Sequence, residues 1–370
     1  MAGVVAGITG VVLCSAIVMN MGDPSTGSGA NNAGKYTPPA VQQETASPVP
    51  QPTDKTPETP LKPQYPTEAM SYYRNTDQSF YSNVQAMLTS KAYPALQDKL
   101  NSLLKQPVAT WLGEWLGDSA AVQSTVDGIV TKATAAKQMP VLVSYNIPNR
   151  DLGQYSAGGL SGAKEFAAWI DSISKGIGDR PAVVILEPDA MPGVYDMSQE
   201  EGAARMAMLH DALVTFTAKN PKTYVYVDAG NSKWLLPSEL ITLIKGVYNG
   251  VNAQPRISLN VSNYRPTPEL LTYFKSVNDL YGGNLKVLLD VGMNGGTTPI
   301  AIEDWCNPRA ARHGTPDNDT FDPNTTIEQL MVRPLGESSG ECERDDPEAG
   351  QFDNALAATM LGQATGKYKH

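Results

Sequence analysis

The chain is poor in the residues that build metal sites and thiol chemistry. Its 370 residues include three cysteines and three histidines. The cysteines (Cys14, Cys306, Cys342) form no C-x-x-C pair, and the histidines (His210, His313, His370) lie far apart. A zinc site of ordinary ligand spacing is therefore not expected, and no metal or cofactor is called for. Basic residues are in deficit as well: 28 Lys and Arg against 38 Asp and Glu give a formal charge of -10. That balance argues against nucleic acid or an anionic lipid surface as partner. No glycine-rich phosphate loop opens a helix after a first strand, and no G-x-S-x-G elbow is present. Nucleotide chemistry and serine hydrolysis are thus unsupported. There is no internal repeat. A neutral ligand such as a polysaccharide or oligosaccharide is compatible with what remains.

What is present begins with an uncharged stretch, residues 1–19. At a rise of roughly 1.5 Å per residue its length nearly matches a hydrocarbon core. Segment 1–21 reads as a signal anchor or signal peptide, although the first positive charge is Lys35 and the usual basic flank is missing. Residues 22–66 hold ten prolines and almost no aliphatic side chains. Such a stretch buries too little apolar area to offset its ordering entropy, so a disordered, extended linker is expected. Export would place the chain in the cell envelope or outside the cell, with the membrane touched only through the N-terminal segment. In that setting Cys306 and Cys342 are expected to pair.

Residues 67–370 read as one globular domain. Seven short apolar runs (Val108–Leu112, Pro140–Tyr145, Ala182–Leu186, Thr223–Val227, Arg256–Leu259, Lys286–Leu289, Gln329–Val332) alternate with amphipathic stretches. The latter include 119–137, 162–177, 199–218 and 268–280. Nearly continuous apolar strands imply a parallel sheet covered on both faces. The expected fold is α/β, a distorted seven-stranded parallel β/α barrel, with a doubly wound open sheet as the rival. A monomer is expected.

In a parallel barrel, function collects where strands end. Four runs end in acids or polar groups: VLVSYN leads to Tyr145, Arg150 and Asp151; AVVIL to Glu187 and Asp189; YVYV to Asp228; and VLL to Asp290. Clustered carboxylates raise one another's pKa, which keeps one protonated as a general acid near neutral pH. Asp189 is the best candidate, since it follows an apolar strand and a proline. Asp151 and Asp228 would flank it. Trp111, Trp115, Tyr145, Trp234, Tyr264 and Trp305 could stack on pyranose faces or simply pack the core.

These same segments, in order, resemble glycoside hydrolase family 6, the inverting β-1,4-glucanases. The resemblance rests on LVSYNIPNRD (142–151), VILEPDAM (184–191), YVDAGNSKWL (226–235), NVSNYRPT (260–267), LLDVGMNG (288–295), DWCNP (304–308) and LMVRPLGESSGEC (330–342). It implies that Asp189 is the proton donor, that Asp151 tunes it and helps relay a proton from water, and that Tyr145 lies beneath the scissile sugar. It places Asp228 near the same subsite. Trp111, Trp234, Trp305, Asn260, Arg333 and Glu337 become sugar-binding candidates, and Cys306 with Cys342 matches one disulfide of bacterial members.

The departures bear on activity. Ser339 stands where the family has its proposed catalytic base, and serine cannot deprotonate water unaided. Glu341 is the candidate substitute. Asn231 replaces a histidine, Pro266 a sugar-stacking tryptophan, Met293 an arginine, and Arg333 a lysine. Two readings follow: a divergent glycosidase that cleaves β-1,4-glucan with inversion, or a glycan-binding protein of the envelope that has lost catalysis. A barrel of unrelated chemistry, such as a lyase or isomerase, is a third.

Overall fold

In the computed structural model, the described residues are 35–39, 64–297 and 300–363. The segment read as a signal, 1–21, lies outside them, as does most of the linker. The strands are β1 (Met70–Ser71), β2 (Thr110–Leu112), β3 (Val141–Ser144), β4 (Ala182–Leu186), β5 (Thr223–Asp228), β6 (Arg256–Leu259), β7 (Lys286–Asp290), β8 (Thr320–Phe321) and β9 (Ile327–Leu330). The helices are α1 (Ser79–Ser90), α2 (Gln97–Leu103), α3 (Ser119–Ala136), α4 (Ala163–Ile177), α5 (Gln199–Lys219), α6 (Pro237–Val247), α7 (Thr267–Tyr281) and α8 (Asn354–Met360).

Seven strands pair in the order β2-β3-β4-β5-β6-β7-β9, all parallel. A single bridge, Val108 to Met331, brings the two outermost strands together. Ala109 N donates to Met331 O at 3.2 Å, and Trp111 Nε1 donates to Val332 O at 3.0 Å. The sheet is therefore curled until its edges touch: a distorted barrel, not the open doubly wound sheet. The last strand begins two residues earlier than its apolar run suggests, because Ile327 and Glu328 already pair with Val287 and Leu288.

Side-chain alternation sorts the strand residues into two cores. Val141, Val143, Val183, Ile185, Tyr224, Tyr226, Leu288 and Leu330 fill the barrel interior. Leu142, Val184, Leu186, Val225, Val227, Ile257, Val287 and Leu289 face outward, against Trp169, Ile173, Leu209, Leu213, Leu240 and Phe274 of the helices. Every residue of β4 and β5 is buried, which explains the unbroken apolar runs. A third cluster from α1, α2 and α8 packs with Met331 and Leu335 where the barrel closes. Asp118 caps α3, accepting from Ala120 N and Ala121 N at 3.1 and 3.0 Å. Ser198 opens α5 in a reciprocal bond pattern with Glu201.

Within the proline-rich stretch 22–66, the described residues 35–39 and 64–66 contact the domain, with Gln64 N donating to Pro221 O at 2.7 Å. Residues 35–39 run beside the start of α5, where Tyr36 N donates to Met197 O at 3.1 Å. The Tyr36 ring is buried and occupies the space that a side chain at Gly202 would fill. Among the described residues, no helix is long and apolar enough to cross a membrane.

Candidate active site

Because the seven strands run parallel, their carboxyl ends share one mouth. The acids there divide into two kinds. Glu187, Asp228 and Asp290 are buried and hold neighbouring loops by their amides. Glu187 accepts from Asn146 N at 2.8 Å, Ile147 N at 2.9 Å and Ser144 Oγ, fixing the turn after β3 from the end of β4. Asp290 accepts from Gly292 N, Val332 N, Ser262 N and Arg333 N at 2.9 to 3.2 Å. Its pKa is pushed up to about 6 by burial, against the pull of those four bonds. Asp228 is fully buried. It accepts from Asp189 N at 2.9 Å, Gly230 N at 3.0 Å and Ser258 Oγ at 2.8 Å. Burial raises its pKa to about 7.

The second kind faces a cleft of about 1100 Å³ lined by Asp151, Asp189, Tyr145, Arg333 and Glu337. Asp189 has a left-handed backbone, φ 68°, as does Glu187 at 50°. Such a conformation is costly for a residue with a Cβ and persists only where its surroundings impose it. Here the Asp189 N–H is held by Asp228 Oδ1 at 2.9 Å. Oδ1 of Asp189 is buried and has no hydrogen-bond partner among the described residues. Burial first, then the negative fields of Asp228 and Asp151, hold the Asp189 carboxyl protonated well above the usual range, with Arg333 opposing. Asp151, at φ 57°, accepts from Ser156 N at 2.8 Å and is itself raised by burial.

Tyr145 stands in the wall beside these acids. Its ring meets Trp111 edge-on at 5.2 Å, and the Arg150 guanidinium lies 4.5 Å from its centroid. Burial and the nearby Asp189 and Asp151 raise its pKa, so it stays a neutral phenol. Arg150 is clamped by both oxygens of Glu114 at 2.6 and 2.7 Å and donates to Tyr145 O at 2.7 Å. Arg205 of α5 donates to Pro148 O and Asn149 O, each at 2.8 Å, from the other side of the loop. Neither Glu114 nor Arg205 stands out in the sequence, because each acts on a loop distant along the chain.

Opposite lies the loop after β9. Arg333 Nη1 donates to Ser339 Oγ at 3.1 Å, and Nη2 donates to Glu337 O at 2.9 Å. The Ser339 hydroxyl also meets Tyr264 Oη at 3.1 Å. The position where the resemblance calls for a base is thus a buried hydroxyl held between a cation and a phenol. Glu337 lines the cleft, and burial raises its pKa to about 7 against the pull of Arg333. Glu341, the candidate substitute base, is exposed and does not line the cleft. The backbone turns sharply there: Glu341 O accepts from Arg344 N and Asp346 N at 3.0 and 3.1 Å, and Cys342 has φ 52°.

Trp111, Trp234 and Trp305 all line the cleft. Asn260 does not: it is fully buried, donating to Asp290 O at 2.9 Å and accepting from Arg265 N at 2.9 Å. Asn231 lines the cleft, whereas Pro266 and Met293 do not. Cys306 and Cys342 form a disulfide with Cα atoms 5.6 Å apart, tying the Trp305 loop to the loop of Glu337 and Ser339.

A parallel β/α barrel with carboxylates and aromatic rings facing one groove at its carboxyl mouth is an architecture suited to glycoside hydrolysis. The family follows from comparison: the profile of Glycosyl hydrolases family 6 matches residues 67–368, and the chain belongs to that family. It is 37% identical over 250 residues to Endoglucanase A of Thermobispora bispora, covering 67% of this chain and 53% of that one. It is 36% identical over 267 residues to Endoglucanase 1 of Streptomyces halstedii, covering 70% and 79%. The chain thus spans about half the length of the first relative and more of the second. Among solved structures, it is similar to the endoglucanase Cel6 of Mycobacterium tuberculosis in complex with methyl-cellobiosyl-4-deoxy-4-thio-β-D-cellobioside. There the TM-score is 0.69 at 32% identity, covering 79% of this chain and 96% of that one.

Proposed function

We propose that the chain is an exported, inverting β-1,4-glucanase with Asp189 as general acid. The observation that carries this is a cleft-facing carboxyl, unpartnered at one oxygen, held protonated by burial and by two neighbouring acids. A proton kept there near neutral pH can pass to a glycosidic oxygen as the bond to the anomeric carbon breaks. Water attacks that carbon from the opposite face and gives up its own proton to a carboxylate of the cleft wall. The exposure of Glu341 counts against it in that role. In this reading Asp151, which shares the field around Asp189, or Glu337, beside Arg333, receives it. Tyr145, Trp111, Trp234 and Trp305 line the same cleft. A β-1,4-glucan fits the ligand seen in the Mycobacterium tuberculosis relative. The disulfide supports an oxidising compartment, and so export.

The second reading, a glycan-binding protein without turnover, is favoured by one observation. Ser339 leaves the Arg333 cation facing a hydroxyl where a carboxylate base would stand. Reducing ends released from a panel of β-glucans, measured beside calorimetric binding, separate the two. Asp189→Asn is expected to abolish turnover and keep binding, with inversion read from the first-formed anomer by NMR. Unchanged turnover in that variant would end the assignment.

A further inference from the structure

We infer that Trp115 is a further sugar platform, placed at the rim of the cleft and tied rigidly to Tyr145 through Glu114 and Arg150. The inference rests on the glucan-cleft reading above and adds to it a residue that selects for long chains.

Trp115 is 56% exposed, whereas Trp169 is buried in the core at 2% and Trp111, Trp234 and Trp305 are largely buried. A solvent-facing indole is an uncommon expense of apolar surface, and this one lies on the cleft wall, not on the outer helices. The ring is not loose. Its six-membered part lies against Gly113, on the side where a Cβ would stand, so one face is backed by the main chain. The remainder of the indole is left to solvent at the groove, a flat apolar surface of the kind on which the C–H face of a pyranose packs.

The turn that carries it is built to hold position. Leu116 N donates to Gly113 O at 3.0 Å, and Gly117 N to Glu114 O at 3.0 Å. Between them, Glu114 makes its two-oxygen clamp on Arg150, which also lies over Tyr145 and binds its carbonyl. The platform and Tyr145 are thereby joined through one guanidinium. A bidentate pair of this type fixes orientation as well as separation. A sugar resting on Trp115 would hold the chain in register with Asp189 without touching the reacting bond. Its effect belongs to chains long enough to reach the rim.

The test uses the full chain carrying Asp189→Asn, so that ligand is not consumed, and reads calorimetric binding of cellotriose and cellohexaose. Adding Trp115→Ala is expected to weaken cellohexaose about tenfold and to leave cellotriose within about twofold. Trp115→Phe should retain most of the affinity for the longer ligand. Gly113→Ala is an independent route to the same result. Gly113 has ordinary extended geometry, φ -150°, so alanine is tolerated by the backbone but collides with the indole. Gly113→Ala in the Trp115→Ala background should then add little. Equal binding by parent and Trp115→Ala overturns the inference while leaving the glucan reading in place. Equal weakening of both ligands also overturns it, since that is loss of the turn and not of a distant platform. If the parent binds neither oligosaccharide, the glucan reading falls and the inference falls with it.

Discussion

Asp228 holds Asp189 by its backbone and not by its side chain: the Asp189 N–H donates to Asp228 Oδ1 at 2.9 Å. The same oxygen takes Gly230 N at 3.0 Å, so one buried atom locks the ends of β4 and β5 together. Asp228 therefore does two things to the proposed acid. It stabilises a left-handed main chain that aims the carboxyl into the cleft, and its charge makes that carboxyl harder to ionise.

The two effects separate by substitution. Asp228→Asn keeps an acceptor for the amides and removes the charge. The pKa of Asp189 should then fall, moving the alkaline limb of the pH–rate profile to lower pH with the fold intact. Asp228→Ala removes both and leaves two amides unmet, at a cost of about 2–4 kcal/mol in stability together with loss of turnover. Calorimetric melting and a pH–rate profile for each variant check this. An unmoved alkaline limb in Asp228→Asn would remove Asp228 from the electrostatics of the acid.

Ser339 offers the complementary experiment. An aspartate there would face Arg333 Nη1, now 3.1 Å from the serine hydroxyl, and would be held ionised by it. Ser339→Asp is therefore expected to raise the rate of reducing-end release by roughly tenfold or more, within the span that general base catalysis supplies. If the native chain only binds glycan, the same change should bring turnover into view. No gain in a correctly folded variant would mean that water is activated elsewhere on the wall, and would direct attention to Asp151 and Glu337.

Much of the architecture was legible in the sequence, because a parallel strand covered on both faces must be apolar throughout. Ala182–Leu186 and Arg256–Leu259 emerge with the same bounds from both. The site was legible in kind but not in role. Glu187, Asp228 and Asp290 look like Asp189 in the sequence, an acid after a strand, yet they spend their oxygens on loop amides. Which acid does which depends on where the next loop presents its N–H groups, and no local pattern records that. Asn260 behaves likewise, donating to Asp290 O of β7 and lying outside the cleft lining. Glu341 lies outside the cleft lining for a different reason. Left-handed residues at Cys342, Glu343 and Asp345 fold that loop away from the groove, so nearness to Ser339 in sequence does not become nearness in the cleft. The docking of Tyr36 escaped notice because a proline-rich composition says only that a segment cannot fold alone.

The disulfide should matter to both stability and binding. Cys306 and Cys342 are 36 residues apart, a closure worth about 3–4 kcal/mol in the chain-entropy account. Replacing both by serine is expected to lower the melting temperature by several degrees. It should also loosen the wall that presents Trp305 and Glu337, weakening oligosaccharide binding even at temperatures where the variant is folded. Calorimetry in both modes tests the pair of effects, and a lower melting temperature with unchanged affinity would confine the bridge to stability.

Buried acids beyond Asp189 and Asp151 add to the dependence of stability on pH. Asp228, Glu328 and Glu337 have pKa values pushed up to about 7, and Asp290 to about 6, each chiefly by burial. In the unfolded chain such groups release their protons near pH 4. Between there and about pH 7 the folded state binds more protons than the unfolded one, so stability falls as pH rises through that window. The domain should melt higher at pH 5 than at pH 8. Glu328 is the cleanest place to test the cause, because it lies near the entry end of the barrel, away from the cleft. Tyr72 Oη donates to its Oε2 at 2.8 Å and Asp322 N to its Oε1 at 2.9 Å. Glutamine can keep both contacts, since the tyrosine hydroxyl can also accept. Glu328→Gln should therefore flatten part of the decline, gaining most at pH 8 and least at pH 5, with no change in affinity for oligosaccharide. A variant whose melting curve follows the parent across the whole range would mean that Glu328 is already neutralised by something other than a proton, with Arg256 the nearest source of such charge.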